Sequence, residues 1–401
     1  MAIKKQQKYP KIINIHFLQY WNYIKIIIIV ILISIIELYY IYYINSFILK
    51  DEKIIELKYY NKFKLFKDEI TDSSIVKLLN KIKVIKHIFN KNIEKDKIGK
   101  KVIHITVSVN NKKNYKYILL VQMQSLLMSC HKNSTFIVYH ILCTPDFNEL
   151  SIIIFKSLFI SFPHNFELIF YNMGNIFFYF KKIYLHSVTY YRLMTPLFIN
   201  EERVIHLDAD CLIFSDLNDM YNLDFKGNYI LGFYDVIKDG IDYLGIKSSK
   251  YINSGVTLFN LKKLRNDKKC VEIIDLLHNN VPLRKTDQTV INYLLYPNIG
   301  RLPSKYGIFN FEDKSDLTIY LNLLRTKIPL NELEEALINP GIIHFVLCKP
   351  KPWYRNSFYF KDFTNCTQRL NCSCIKYFYI WHSIAKETLY YRKISSFTSV
   401  G

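Results

Sequence analysis

The chain has 401 residues, of which 50% are hydrophobic and 16% aromatic, so a sizeable core can form and global disorder is excluded. Its formal net charge is +20, but the lysines are scattered along the chain. Helix-turn-helix, zinc-finger and aromatic RNA-binding motifs are absent, so nucleic acid is not an expected partner. This length allows one large α/β domain with extensions, or two modest domains.

The first recognisable element is an apolar run at 26–44, which is interrupted by Ser34 and Glu37. It follows a segment with five lysines and no acidic residue. A helix over the run would be about 28 Å long, close to the hydrocarbon thickness of a bilayer. The positive-inside rule predicts a cytoplasmic tail at 1–25, a transmembrane signal anchor at 26–44 and a luminal remainder. A cleaved signal peptide and a buried core helix are the alternatives.

Two segments flank the central region of the chain. Residues 45–100 are rich in Lys, Glu and Ile and are interpreted as a stem. Residues 359–401 form a cysteine-containing extension, for which disulfides in an oxidising lumen are favoured over a zinc site. Glycosylation sequons also support a luminal location for these parts of the chain. The expected protein is therefore a single-pass type II protein of the Golgi or ER membrane. The cysteines and sequon asparagines are Cys366, Cys372, Cys374, Asn133, Asn365 and Asn371.

Apolar strands alternate with helical patterns after residue 100. The strands are predicted at 102–109, 135–142 and 166–170, and the helices at 117–130, 146–159 with Asp146 as N-cap, and 188–199. This alternation predicts an α/β domain with a mostly parallel central sheet covered on both faces. Ligands of such sheets bind beyond the carboxyl ends of the strands.

The next strand, at 203–207, ends in Asp208 and Asp210. Side chains alternate along a strand, so these two carboxylates point the same way. Two hard oxygen ligands at the end of a buried strand suit a divalent cation that itself holds a phosphate. Glycine-rich phosphate-binding motifs are absent, so metal and side chains must hold any phosphate. Taken alone, an Asp-x-Asp is often a surface turn.

Four further segments carry polar residues in apolar surroundings. The segment 251–263 contains Asn253-Ser-Gly255, interpreted as a turn that enters a strand. Asp287-Gln288 stands at a predicted helix start, where Asp287 could also be a simple N-cap. The strand at 341–346 carries His344 and leads into Lys349-Pro-Lys-Pro-Trp353, and a Thr-Tyr-Tyr-Arg-Leu run occupies 189–193.

Together these motifs, in this order over about residues 100–356, resemble glycosyltransferase family 8, which contains glycogenin and bacterial lipopolysaccharide galactosyltransferases. The resemblance implies a GT-A fold, an Mn²⁺-dependent UDP-sugar donor and transfer with retention of anomeric configuration. It implies that Asp208, Asp210 and His344 are the metal ligands. It also implies that Lys351, or Lys349 instead, pairs with the donor diphosphate.

The same resemblance assigns the donor contacts. Asn114 and Tyr115 would lie by the nucleobase, Ala209 beside the cofactor, and Arg192 near the donor phosphate and sugar. The sugar hydroxyls would contact Asn253, Asp287 and Gln288, with Gln288 near the anomeric carbon. Asp235 is a candidate for donor or acceptor hydroxyls, so the predicted catalytic set is Gln288, Asp287 and Asp235. Retention could follow a front-face route, which we favour, or a covalent intermediate.

The sequence thus predicts a family 8 hexosyltransferase that moves glucose or galactose from a UDP-sugar to a glycan, glycolipid or glycoprotein acceptor in the secretory lumen. One alternative is a non-catalytic, membrane-anchored glycan-binding relative, favoured by the unusual Asn110-Asn-Lys-Lys113 loop. A second is an Asp-x-Asp phosphohydrolase, although Cys211-Leu212 stands where such enzymes usually have Gly-Thr.

Overall fold

The computed structural model forms two compact units, residues 1–51 and 52–401. The structure describes 52–58, 83–89, 93–111, 114–130, 134–173, 187–235, 251–278, 287–309, 328–346, 351–353 and 373–395, together with residues 27, 28, 31, 32, 35, 322 and 324.

In the first unit the described residues are helical and apolar, and each is about half exposed: Ile27, Ile28, Ile31, Leu32 and Ile35. Most of the predicted anchor at 26–44 lies outside the described residues. Within the described part of the chain, none of the helices combines the length and hydropathy that crossing a bilayer requires.

The second unit contains the strands of two sheets. They are β1 Glu52–Lys58, β2 Lys83–Phe89, β3 Lys101–Val109, β4 Thr135–Cys143, β5 Phe166–Asn172, β6 Arg203–Leu207, β7 Cys211–Ile213, β8 Ile230–Tyr234, β9 Ile252–Asn260, β10 Ile299–Arg301, β11 Ile308–Phe309 and β12 Ile342–His344. Among the described residues, the larger sheet has nine strands in the order β1-β2-β5-β4-β3-β6-β9-β8-β10, and the smaller has the order β11-β12-β7.

The centre of the large sheet is parallel, as predicted: β5, β4, β3 and β6 all run in the same direction. Antiparallel pairing begins on either side, where β2 joins β5 and β9 joins β6. At the far edge β10 pairs in parallel with β8.

Helices flank the large sheet and connect its strands. They are α1 Ile93–Lys97, α2 Tyr115–Ser129, α3 Glu149–Lys156, α4 Leu158–Ser161, α5 Ser187–Tyr190, α6 Thr195–Phe198, α7 Asn218–Tyr221, α8 Leu261–Asn266, α9 Lys269–His278, α10 Asp287–Leu295, α11 Leu330–Ile338, α12 Ser373–Lys386 and α13 Tyr391–Ser395. In the part of the chain that the structure describes, 3-10 helices also lie at Tyr191–Met194 and Ser304–Tyr306.

The central strands are buried on both faces, which explains their nearly continuous apolar sequences. Every residue of β4 is buried. Its alternate side chains enter two separate core clusters, Ile137 and Tyr139 in one, Phe136 and Val138 in the other. The first cluster also takes up side chains of α2 and α12, and the second takes up side chains of α9 and α10.

Several predicted elements differ in detail from the observed ones. The helix predicted at 188–199 is three short pieces, α5, the 3-10 helix and α6, with a proline at the start of α6. Asp146 is not the N-cap of the following helix, because Asn148 accepts from the Ser151 backbone N–H at 3.1 Å. That helix is also divided at Ser157 into α3 and α4.

Part of the predicted stem contributes to the sheet. β1 and β2 pair with each other, and β2 pairs with β5, so they extend the large sheet at this side. Their Lys- and Glu-rich sequences do not show the apolar alternation by which the other strands were predicted. The predicted boundaries of the tail, stem and C-terminal extension otherwise remain predictions.

The pairing of β6 with β9 sets the geometry of the site. Leu207 lies opposite Val256, and one step further the Asp208 backbone N–H donates to the Gly255 carbonyl at 2.7 Å. Because the strands are antiparallel, the start of β9 meets the end of β6. Asn253-Ser-Gly255 is therefore part of a strand rather than the predicted turn.

Candidate active site

The two carboxylates that end β6 face an opening in the otherwise buried centre of the sheet. The side chain of Asp208 is 31% exposed and that of Asp210 25%, whereas β6 from Val204 onward is buried. A tight turn joins β6 to β7, in which the Cys211 backbone N–H donates to the Asp208 carbonyl at 3.2 Å. The turn keeps both carboxylates at the carboxyl end of the parallel strands.

His344 joins the carboxylates from the smaller sheet. In the register of β12 with β7 it lies opposite Cys211, one residue beyond Asp210. Its Nε2 lies 3.1 Å from Asp210 Oδ1 and 3.8 Å from Asp208 Oδ2. The ring is 2% exposed and packs edge-on against Phe309, with 5.8 Å between the ring centroids. The three predicted metal ligands are therefore neighbours in the fold.

Gly255 provides the space in which these three side chains meet. A Cβ at this position would lie 2.6 Å from Asp208 Oδ2 and 2.9 Å from His344 Nε2, with a still closer approach to His344 Cε1. A Cβ makes no hydrogen bond, and real Cβ atoms essentially never approach other heavy atoms this closely. A glycine is therefore required at this position for the carboxylate and the imidazole to approach each other.

Arg192 is buried beneath the opening and binds both acidic motifs. Its Nη2 donates to Asp208 Oδ1 at 2.6 Å, and its Nε lies 3.0 Å from Asp287 Oδ2. Its Nη1 donates to the Ser254 carbonyl at 2.6 Å, and Nε also donates to the Thr189 carbonyl at 2.9 Å. The sequence placed Arg192 near the donor; the structure places its guanidinium among protein groups that it holds in position.

The charges of the site stabilise one another. Burial raises the pKa of Asp208, but the Arg192 guanidinium and the His206 and His344 rings together outweigh burial and hold the pKa well below its usual range. Burial likewise opposes ionisation of Asp210, and the His344 ring and the Lys351 ammonium reverse this and lower its pKa. Both side chains are thus carboxylates at neutral pH, the form in which they can bind a cation.

Lys351 approaches the same cluster from the Lys-Pro-Trp segment. Its Nζ donates to Asp210 Oδ2 at 3.1 Å and to the Phe345 carbonyl. The alternative phosphate-binding residue, Lys349, lies outside the described residues. The Lys351 ammonium therefore lies beside Asp210, where it can pair with an additional anion.

The predicted sugar-binding residues lie on the β8–β9 side. Gln288 Nε2 donates to Asp235 Oδ2 at 2.5 Å, and its Oε1 accepts from the Ser254 backbone N–H at 3.2 Å. Asn253 Oδ1 accepts from the Gly255 backbone N–H at 2.9 Å. Asp287, the first residue of α10, is buried against Arg192. The structure thus brings Asp235, Asn253, Asp287 and Gln288 into one hydrogen-bonded group with the carboxylate site.

The predicted nucleobase residues lie before and at the start of α2. Asn114 precedes this helix, and its carbonyl accepts from the Tyr117 and Ile118 backbone N–H groups. Tyr115 begins the helix and is 50% exposed, so its ring is accessible for stacking. Ala209, between the two carboxylates, packs partly buried against the core.

The donor set fits a hard divalent cation. Asp210, Cys211 and His344 offer ligand atoms within 4.8 Å of one another, and Asp208 lies beside them. The pKa of the Cys211 thiol is raised well above its usual value by burial, so the thiol is a poor ligand at neutral pH. Two carboxylates and one imidazole remain as the suitable ligands.

Two residues that the sequence did not assign to the site contact Asp208. Gln122 of α2 donates through Nε2 to the Asp208 carbonyl, and His206 Nε2 lies 3.4 Å from Asp208 Oδ1. His206 lies on β6 and is fully buried. Its position two residues before Asp208 on a strand places both on one face, which is the signal that could have identified it. Nothing in the sequence indicates Gln122, which lies 86 residues from its partner.

Comparison with known proteins shows the family and the fold of the chain. The family described as Glycosyl transferase family 8 matches residues 104–357, more than half of the chain. The glycosyltransferase GlyE of Streptococcus pneumoniae is 27% identical over 176 residues, which is 43% of this chain and 39% of GlyE. A lipopolysaccharide 1,2-glucosyltransferase of Escherichia coli is 27% identical over 31% of this chain and 42% of its own length. The chain thus spans less than half the length of either relative.

Solved structures share the fold. The bifunctional glycosyltransferase WbbM aligns with a TM-score of 0.59 at 18% identity, covering 76% of this chain and 53% of WbbM. The galactosyltransferase LgtC, solved with donor and acceptor sugar analogs, aligns with a TM-score of 0.52 at 19% identity, covering 72% of this chain and 96% of LgtC. The second unit therefore has the predicted GT-A fold, and the chain belongs to glycosyltransferase family 8.

Proposed function

We propose that this chain is a retaining glycosyltransferase that moves a hexose, glucose or galactose, from a UDP-sugar to a glycan, glycolipid or glycoprotein acceptor. The observation that carries the proposal is the cluster of Asp208, Asp210 and His344 with the Lys351 ammonium beside it. Two carboxylates and an imidazole can bind a divalent metal ion, and the adjacent lysine ammonium can pair with a diphosphate bound to that ion. Family membership supports a nucleotide-sugar donor and a carbohydrate acceptor.

Asp208, Asp210 and His344 would hold the divalent cation, proposed to be Mn²⁺. When bound, the cation neutralises the charge that develops on the departing diphosphate. The Arg192 guanidinium holds Asp208 through Oδ1, which leaves Oδ2 on the side of His344. Lys351 is paired with Asp210 and would pair instead with a diphosphate oxygen when the donor binds.

The sugar would lie against Gln288, Asn253 and Asp235. Both ends of the Gln288 amide are engaged, the oxygen by the Ser254 N–H and the nitrogen by Asp235. A neutral amide held this way suits hydrogen bonding to the sugar better than nucleophilic attack. We therefore favour the front-face route, in which the acceptor oxygen bonds to the anomeric carbon, the bond to the diphosphate breaks, and the acceptor proton passes to the leaving oxygen.

A panel of UDP-sugars tests this proposal. Purified protein is incubated with each UDP-hexose and Mn²⁺, and release of UDP is measured with and without a chelator. We expect metal-dependent turnover or binding with UDP-glucose or UDP-galactose. Absence of both for every donor would remove the enzyme interpretation in favour of a non-catalytic relative. One observation favours that alternative. In the unusual loop at 110–113, the Asn111 side chain already donates to the Asp146 carbonyl at 2.8 Å and accepts from Ser151 Oγ at 2.9 Å, so its amide is engaged within the protein.

We further propose a type II Golgi or ER membrane location, with the catalytic domain in the lumen. The lysines before the apolar run at 26–44 and the sequons at Asn365 and Asn371 support this topology. Expression in a eukaryotic cell followed by glycosidase digestion tests it. A mobility shift on glycosidase treatment is expected, and a protein that carries no glycan and stays in the soluble fraction would contradict the proposal.

A further inference from the structure

The Lys351–Trp353 segment is held by a helix outside the matched family region. The match to family 8 ends at residue 357, whereas α12 begins at Ser373. From this helix, His382 Nε2 lies 2.9 Å from the Pro352 carbonyl oxygen. The chemistry fixes the direction of this bond: a carbonyl can only accept, so His382 donates from Nε2.

Pro352 is an effective point of attachment. A proline has no backbone N–H, so its carbonyl is its one backbone hydrogen-bonding group. Fixing this carbonyl fixes the peptide plane between Pro352 and Trp353, one residue after Lys351. The His382 ring is itself held in place, with its centroid 4.5 Å from that of Phe378 and 5.1 Å from that of Trp381.

The indole of Trp353 provides a second attachment. It is 5% exposed and lies between the rings of Phe345 and Trp381. The ring centroids are 6.1 Å apart for Phe345, with an interplanar angle of 78°, and 5.9 Å apart for Trp381, with an interplanar angle of 49°. Trp381 is 1% exposed and belongs to the same core cluster as α2. Phe345 directly follows His344 and receives the Lys351 ammonium on its carbonyl. The segment is thus packed between the strand that carries His344 and the C-terminal helix.

The position of this segment decides what the Lys351 ammonium can reach. Its Nζ lies 3.1 Å from Asp210 Oδ2 and 5.6 Å from the centroid of the Trp353 ring. A lysine side chain is long and loses considerable rotamer freedom when it is fixed, so a displaced backbone would cost it these contacts.

We propose that His382 is a positioning residue for Lys351: through the Pro352 carbonyl, the C-terminal helix holds the lysine that binds the donor diphosphate. The inference rests on the proposed function for the identity of that ligand, a nucleoside diphosphate. It assigns a role in donor binding to a part of the chain that the family domain does not include.

Calorimetric titration of the full-length chain with UDP and Mn²⁺ tests the proposal. His382→Ala should weaken UDP binding about three- to tenfold, the value of one hydrogen bond. His382→Gln, whose amide can still donate, should recover most of the affinity. Tyr379→Ala on the same helix is the matched control, because this side chain is 64% exposed, and it should bind as the wild type does.

A double-mutant cycle separates positioning from general loss of structure. Lys351→Ala weakens UDP binding, and adding His382→Ala should cause little further loss, because the lysine that His382 positions is gone. Equal UDP affinity of His382→Ala and the wild type, or additive losses in the double variant, would overturn the proposal.

Hydrogen exchange of the ligand-free chain decides the question even if UDP does not bind. The peptide containing the Lys351 and Trp353 amides should exchange faster in His382→Ala than in the wild type or Tyr379→Ala. Unchanged exchange would contradict the positioning role. If the wild type binds no UDP while exchange accelerates as expected, the donor assignment fails and the positioning role of His382 stands.

Discussion

Nη2 of Arg192 lies 2.6 Å from Oδ1 of Asp208, and the same guanidinium lies 3.0 Å from Asp287 Oδ2. One buried cation therefore joins the carboxylate that ends β6 to the acidic residue that begins α10. The same side chain thus contacts both the proposed metal side and the proposed sugar side of the site. Removing it should disturb both.

Arg192→Met should destabilise the protein strongly. Breaking a buried ion pair leaves an unpaired charge, here mainly on Asp287, at a cost of about 3 kcal/mol in the free energy of unfolding. Chemical denaturation measures it. Lys262→Met is the control, because Lys262 and its partner Glu202 are both exposed and the pair should contribute nothing measurable. Equal loss in the two variants would contradict the structural role of Arg192.

Asp210→Asn should abolish metal-dependent turnover without unfolding the chain. The amide keeps the shape of the side chain but loses the charge that binds a cation, so we expect a loss of about a hundredfold or more. Release of UDP and circular dichroism are measured together. The control is Asp219→Asn, an exposed acid on α7. Unchanged turnover in Asp210→Asn would remove its role as a ligand.

Gly255→Ala should weaken metal binding while Ser254→Ala should not. The added methyl would lie 2.6 Å from Asp208 Oδ2, so the carboxylate and His344 must separate. We expect at least a tenfold loss of Mn²⁺ affinity, the range found for disturbed metal surroundings. Titration with Mn²⁺, followed by electron paramagnetic resonance, measures it. Equal affinity in the two variants would show that the close approach is not required.

Asp235→Asn should lower the turnover number more than it changes the KM for the donor. The carboxylate accepts from Gln288 Nε2, and an amide in its place could turn its own N–H₂ group toward Gln288 and displace it. A displaced group near the reacting carbon can cost about a hundredfold in rate. Steady-state kinetics with the accepted UDP-sugar measures it, and an unchanged turnover number would exclude this role for Asp235.

Glu332 should make the stability of the fold sensitive to acid. Its pKa is lowered to about 2, chiefly by hydrogen bonds from Arg301 at 2.6 Å, with further bonds from Ser304. For an acid with a depressed pKa, the stabilisation is present above the unfolded pKa of about 4.3. It is lost progressively as the pH falls from there through about 2. Glu332→Gln should therefore denature more easily than the wild type at pH 6, and the difference should shrink at pH 3.

Much of the site was predictable from local patterns. The alternation of a strand places Asp208 and Asp210 on one face, and the apolar run at 341–346 predicts a strand for His344. The contacts of Gln122 and Arg192 with Asp208 were not predictable, because they depend on how helices from distant parts of the chain pack beneath the sheet.

The direction of each strand was also not predictable from the sequence. An apolar run reads the same whether its neighbour is parallel or antiparallel, so nothing in 252–260 indicates that β9 reverses beside β6. β1 and β2 were not predicted because lysines and glutamates interrupt the apolar alternation that indicates a strand. Tertiary pairing overrides local preference at such positions.

The register of β6 with β9 determines whether the proposed cation site can form. A slip of one residue would replace Gly255 by Ser254 or Val256 opposite Asp208, and every side chain of β9 would change face. The side chain of a serine or a valine would then fill the space between the carboxylate and His344. A misaligned chain could keep an apolar core yet bind no cation, so metal affinity can report strand alignment in preparations of this protein.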